Sequence, residues 1–138
     1  MKKYEKMTKY IPFISNSPFG EWIIDNKNDG TTENPIQMPF VNYSDMVRGF
    51  MSDVYQFEKE HEVFELNRYV DILKEHGIEW GQESMLKADV NDLSGKTIMA
   101  LIMGAVRAER FCEGTLLTFF EEGAILKWLE CLQRIDNE

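Results

Sequence analysis

The chain has only two cysteines and two histidines among its 138 residues. Cys112 and Cys131 do not form a close metal-type pair, and both fall in apolar, helix-like surroundings. A disulfide scaffold is excluded on that count, and free thiols in a reducing compartment are the expectation. Structural zinc of the four-ligand kind has too few donors. Prolines number four, which leaves room for long uninterrupted helices. Basic residues are also in the minority, 15 Lys and Arg against 24 Asp and Glu, giving a net charge of −9. Such a surface repels phosphate backbones and anionic lipid, so direct nucleic-acid binding and membrane docking are disfavoured. The longest apolar run, Ile98–Val106, is about half of what a bilayer crossing needs. No secretory leader is expected, because Lys2 and Lys3 run into Tyr4-Glu5-Lys6 rather than an apolar stretch. A cytoplasmic location follows as an expectation.

What is present is a rich supply of core-forming residues: three Trp, five Tyr, nine Phe and eight Met. The length suits one domain with a real core. The first ten residues are basic, whereas Met51–Trp80 carries eight carboxylates against Lys59, Arg68 and Lys74.

Residues Lys3–Phe13 place Tyr4, Met7, Tyr10 and Ile11 on one side and predict a short helix. Ser15-Asn16-Ser17-Pro18 ends it. Gly20–Asp25 and Ile36–Tyr43 predict a hairpin around the turn-rich loop Asn26–Pro35, with Pro39 confining the second strand to an edge. Ser44 is an N-cap. Behind it, Met46, Val47, Phe50, Met51, Val54 and Phe57 recur at helical spacing to about Lys59. A further helix is expected over Val63–His76, closed at Gly77 by a Schellman ending in which Ile78 packs on Leu73. Trp80–Leu93 reads as loop. Asp92 or Ser94 caps a long helix to about Cys112, Gly114 stops it, and Leu116–Glu122 and Ala124–Ile135 follow on either side of Gly123. The reading is a single α+β, mainly α domain of about five to six helices with a short N-terminal β-hairpin. It divides into 1–43 (helix and hairpin), 44–77 (helical pair) and 94–135 (central helix and two shorter ones). Ile98–Val106, apolar on all sides, has to be the buried centre.

The densest chemistry follows that run. Arg107 and Arg110, three apart, project to one side of a helix and can clamp a carboxylate or phosphate; Glu109 and Glu113 share a neighbouring face. The structural alternative is that the arginines pair with Glu121, Glu122 or other carboxylates. His61-Glu62-Val63-Phe64-Glu65 is similar to a zinc-protease motif but has a carboxylate where the second histidine belongs, so no metal is expected. Ser94-Gly95-Lys96-Thr97 carries the end of a phosphate loop without its upstream glycine, since Val90 holds that place, and an N-cap is preferred. No hydrolase nucleophile motif occurs, and no cofactor is implied. A helix-turn-helix reading of the pair around Gly123 would present Ile125, Lys127, Glu130 and Cys131, which is not a basic surface.

Arg107–Gly114, followed by Leu117, Phe120, Gly123 and Leu129, resembles an uncharacterised bacterial domain-of-unknown-function family, number 6508. Gly20-Glu21-Trp22, Phe40-Val41-Asn42-Tyr43-Ser44 and Tyr69 look similar as well, so the resemblance spans nearly the whole chain. It implies no established activity and suggests a link to bacterial mobile elements. Trp22 and Tyr43 thereby join Arg107, Glu109, Arg110 and Glu113 as candidate ligand-binding residues. Three functions stay open. The first is a non-catalytic protein-interaction domain that binds a basic partner through an acidic or aromatic face. The second is an anion-binding protein or enzyme with its site at Arg107 and Arg110. The third is an acidic nucleic-acid mimic.

Overall fold

Ser44 and Ser94 open the two longest helices in the same way. Each side-chain oxygen accepts a hydrogen bond from the backbone N–H three residues on, Val47 and Thr97, at 3.3 Å, satisfying a donor that the helix itself cannot. The computed structural model describes residues 2–24, 30–33, 35 and 38–138. In chain order it comprises α1 (Glu5–Thr8), α2 (Ile11–Ile14), β1 (Gly20–Ile23), β2 (Phe40–Tyr43), α3 (Asp45–Glu60), α4 (Tyr69–Glu75), α5 (Gln82–Lys87), α6 (Gly95–Ala108), α7 (Thr115–Glu121) and α8 (Ala124–Asp136). Two 3₁₀ turns, Glu62–Phe64 and Leu66–Arg68, link α3 to α4. The fold is α+β and mainly α, with a single two-stranded antiparallel sheet among the described residues.

The centre is α6. Every residue from Ile98 to Val106 is buried, as a helix without a polar face requires. It packs against α4, α7 and α8. One continuous core draws in Met7 from α1, Phe50 and Phe57 from α3, Leu73 from α4, Phe119 from α7 and Trp128 from α8. The ends of the chain are tied together: the Tyr4 N–H donates to Asp136 at 3.0 Å, and the Lys2 ammonium to the Asp136 carbonyl at 2.9 Å.

The hairpin pairs Gly20 with Tyr43 and Ile23 with Phe40. Both strands are shorter than the sequence suggests, and Asp25, Ile36 and part of the intervening loop lie outside the described residues. Four further expectations are corrected. The N-terminal helix is two single turns, broken at Lys9-Tyr10 ahead of Pro12. The helix expected from Val63 begins only at Tyr69, because Glu65 adopts a left-handed conformation (φ +52°) between the two 3₁₀ turns. The Trp80–Leu93 stretch contains α5. The central helix ends at Ala108 rather than near Cys112. The Schellman ending is present: Gly77 has φ +75°, its N–H donates to Lys74, and the Ile78 N–H donates to Leu73 at 2.9 Å.

Candidate functional site

The candidate residues split into two groups according to what the α6–α7 corner needs. After Ala108 the chain turns, and Gly114 (φ +89°) starts α7 without a side-chain cap from its own position. Glu109 supplies the missing acceptor. Its carboxylate accepts from the Gly114 N–H at 3.0 Å and the Leu116 N–H at 3.0 Å, placing a negative charge at the positive end of α7. The Tyr43 hydroxyl donates to the same carboxylate at 2.7 Å and accepts from the Leu117 N–H at 3.0 Å. Burial, then the hydrogen bond to Glu109, pushes the Tyr43 phenol well above its ordinary value, so it stays a donor throughout the physiological range. Glu113 accepts from the Val41 N–H at 2.9 Å, on the side of β2 away from β1. Trp22 lies against Gly114: a Cβ there would collide with the indole ring. Trp22, Tyr43, Glu109 and Glu113 therefore fasten the hairpin to the corner.

Arg107 and Arg110 do something different. The expected pairing with Glu121, Glu122 or another carboxylate is not found; among the described residues neither arginine makes an ion pair. Both guanidiniums instead lie over the ring of Tyr55, with centroid distances of 5.4 and 5.6 Å. The one-sided projection is thus realised, but Glu109 and Glu113 have turned away to the hairpin and do not join them.

The secondary motifs resolve into structural roles. His61 stacks on Phe57 at 3.9 Å, and its Nδ1–H donates to the Phe57 carbonyl at 3.1 Å. Gly95 is covered by the Tyr4 hydroxyl, which occupies the space where a Cβ would stand. Of the residues in the helix-turn-helix reading, Ile125 and Cys131 are buried. Among the described residues no group of three or more His, Cys, Asp and Glu is arranged to hold a metal, and no helix is long and apolar enough to cross a membrane.

The sequence reading named an aromatic face without placing it; the structure gathers one around Trp80. Phe111 is 76% exposed and meets Trp80 edge-on at 5.6 Å; Trp80 in turn meets Tyr69 at 5.5 Å. The Trp80 indole N–H donates to the Gly104 carbonyl of α6 at 3.0 Å, so the ring is fixed and its polar atom is used internally. A hollow of about 580 Å³ is lined by Val70, Lys74, Gly77, Ile78, Glu79 and Trp80 itself. A second hollow of about 490 Å³ shares Glu79 and Trp80 with it. The available signals were Trp80 beside Gly81, and a phenylalanine inside a charged knot.

These features define a small, mainly helical α+β domain whose Glu109 and Glu113 carboxylates hold the hairpin to the α6–α7 corner and whose Arg107–Arg110 pair meets no carboxylate partner among the described residues. The chain matches the family of unknown function DUF6508 over residues 1–138, its whole length, and belongs to that family. No curated protein and no solved structure matches it.

Proposed function

We propose that this protein is a non-catalytic interaction domain that docks a basic protein partner on its Trp80–Phe111 face. The observation that carries the reading is the pairing of a largely exposed phenylalanine with a tryptophan anchored to α6. Phe111 leaves most of its ring in water, and Trp80 is held by α6 in one orientation. A rigid aromatic anchor lining two hollows is the usual form of an interface hot spot, since little side-chain entropy is lost on binding. The partner's charge follows from the chain's own: a net −9, with Glu79 shared by the hollows, favours an incoming Lys- or Arg-bearing segment. Two free cysteines fit action in a reducing cytosol.

Affinity capture with the purified chain, followed by reconstitution with the recovered protein, tests this. Phe111→Glu should weaken the reconstituted complex at least tenfold and leave the melting temperature within about 2 °C, because the ring is exposed. Phe13→Glu, at an exposed phenylalanine on α2, should leave affinity unchanged. Raising salt from about 50 to 500 mM should weaken the wild-type complex further, as exposed charges become screened. A complex indifferent to Phe111→Glu and to salt overturns both the face and the partner class.

A further inference from the structure

Among the described residues Arg107 and Arg110 make no ion pair, although the chain is rich in carboxylates. The other arginines are engaged: Arg48 with the Asn42 side chain, Arg68 with Glu65 and Asp71, and Arg134 with the Asn91 carbonyl. Arg107 is mostly enclosed, its Nε is buried, and that atom has no hydrogen-bond partner. Its carbon stem continues the core while its head reaches the surface beside Tyr55. There it lines a cleft of about 360 Å³, together with Glu58, Lys59, Glu62, Glu65 and Asn67.

The charges around that cleft are unusual in being both mixed and unspent. Glu65 is taken by Arg68 at 3.1 Å. Glu58 and Glu62 remain on one side of the account, Lys59 and Arg107 on the other, and no two of these four form an ion pair. A simple anion entering here is attracted by two cations and repelled by two carboxylates; a simple cation fares no better. A molecule that carries both signs gains at both ends, and the planar guanidinium fork of Arg107 matches a carboxylate. Asn67 adds an amide able to donate or accept. The volume admits only a small molecule. We propose that this cleft binds a small zwitterion of the amino-acid type, with its carboxylate on Arg107 and its ammonium toward Glu58 and Glu62. The site is separate from the Trp80–Phe111 face and stands or falls independently of it.

Thermal melting of the full chain tests the inference with glycine, β-alanine and γ-aminobutyrate as zwitterions of increasing charge separation. Acetate, inorganic phosphate and ethylammonium at matched ionic strength are the single-charge comparisons. At ten times its Kd, at least one zwitterion should raise Tm by about 4 °C. The single-charge ions should shift it by about 1 °C or less on the same scale. Glu62→Gln changes an exposed side chain and should leave the unliganded protein folded, yet weaken the zwitterion about tenfold. Arg107→Gln should do the same, and Glu58→Gln replaces it in the test if that variant fails to fold. Phe111→Glu should leave the shift intact. Absence of a shift with all three zwitterions up to about a hundredfold molar excess over millimolar Kd values typical of small ligands overturns the proposal. So does a phosphate or acetate shift of equal size that survives Glu62→Gln, which would make the cleft a plain anion site.

Discussion

Removal of the Glu109 carboxylate should destabilise the fold without touching any surface that binds. Three donors converge on that group: the N–H of Gly114, the N–H of Leu116 and the hydroxyl of Tyr43, at 3.0, 3.0 and 2.7 Å. A hydrogen bond to a charged acceptor contributes about 1.5–3 kcal/mol when dry. Glu109 is only part-buried, so water can replace some of each bond, and about 1 kcal/mol per donor is the better figure. Glu109→Ala should then cost about 3 kcal/mol. In urea, with a slope of about 2 kcal/mol/M, the midpoint should fall by about 1.5 M while the slope itself stays constant. Glu109→Gln keeps one acceptor oxygen and should lose roughly half as much. Tyr43→Phe should cost about 1 kcal/mol alone and much less in the Glu109→Ala background, because the two groups share a bond. A Glu109→Ala loss below about 0.5 kcal/mol, or strict additivity with Tyr43→Phe, would show that the carboxylate is not the cap of α7 and would return it to the list of candidate ligand contacts.

Gly114→Ala should cost about 2–4 kcal/mol, because φ +89° strains any side chain and the new Cβ strikes Trp22; adding Trp22→Ala should recover the collision but not the strain, read by denaturant midpoint. Burial opposes ionisation of Asp53, but the Tyr10 hydroxyl and the Lys9 ammonium hold its carboxyl below the ordinary value of 3.8. A lowered folded-state pKa gives stability that is complete above the unfolded value and lost as pH falls through the folded one, so melting temperature should drop more steeply below about pH 4 in the parent than in Asp53→Asn.

Much of the architecture was legible because it is written in local chemistry. Ser44 and Ser94 cap helices, Gly77, Gly114 and Gly123 take the positive φ that ends one helix or starts another, and an all-apolar α6 can only be central. The misses are places where tertiary contacts overrule propensity. Arg107-Ala108-Glu109-Arg110 consists of good helix formers, yet the helix stops within it because the Glu109 carboxylate is drawn to the N-terminus of α7. Glu65 gives no sign in the sequence of its left-handed backbone, and without that turn Val63–His76 reads as one helix. α5 is a six-residue helix with no side-chain cap, anchored by the buried Met85; so short a segment has little intrinsic stability and leaves a weak trace.

The candidate charges part company for a physical reason. Sequence spacing places four charged residues of one helix together, but it cannot say which of them a neighbouring element will claim. A carboxylate near a helix end has an alternative partner available in every orphan N–H of the next helix, and Glu109 takes it. Glu113 likewise finds an unpaired strand N–H at Val41. A guanidinium has no such outlet here: it can only donate, and Glu109 and Glu113 have been taken by backbone donors. The same folding step that converts Glu109 and Glu113 into struts therefore leaves Arg107 and Arg110 uncompensated over Tyr55. The residues of the knot worth pursuing for binding are those the fold failed to neutralise.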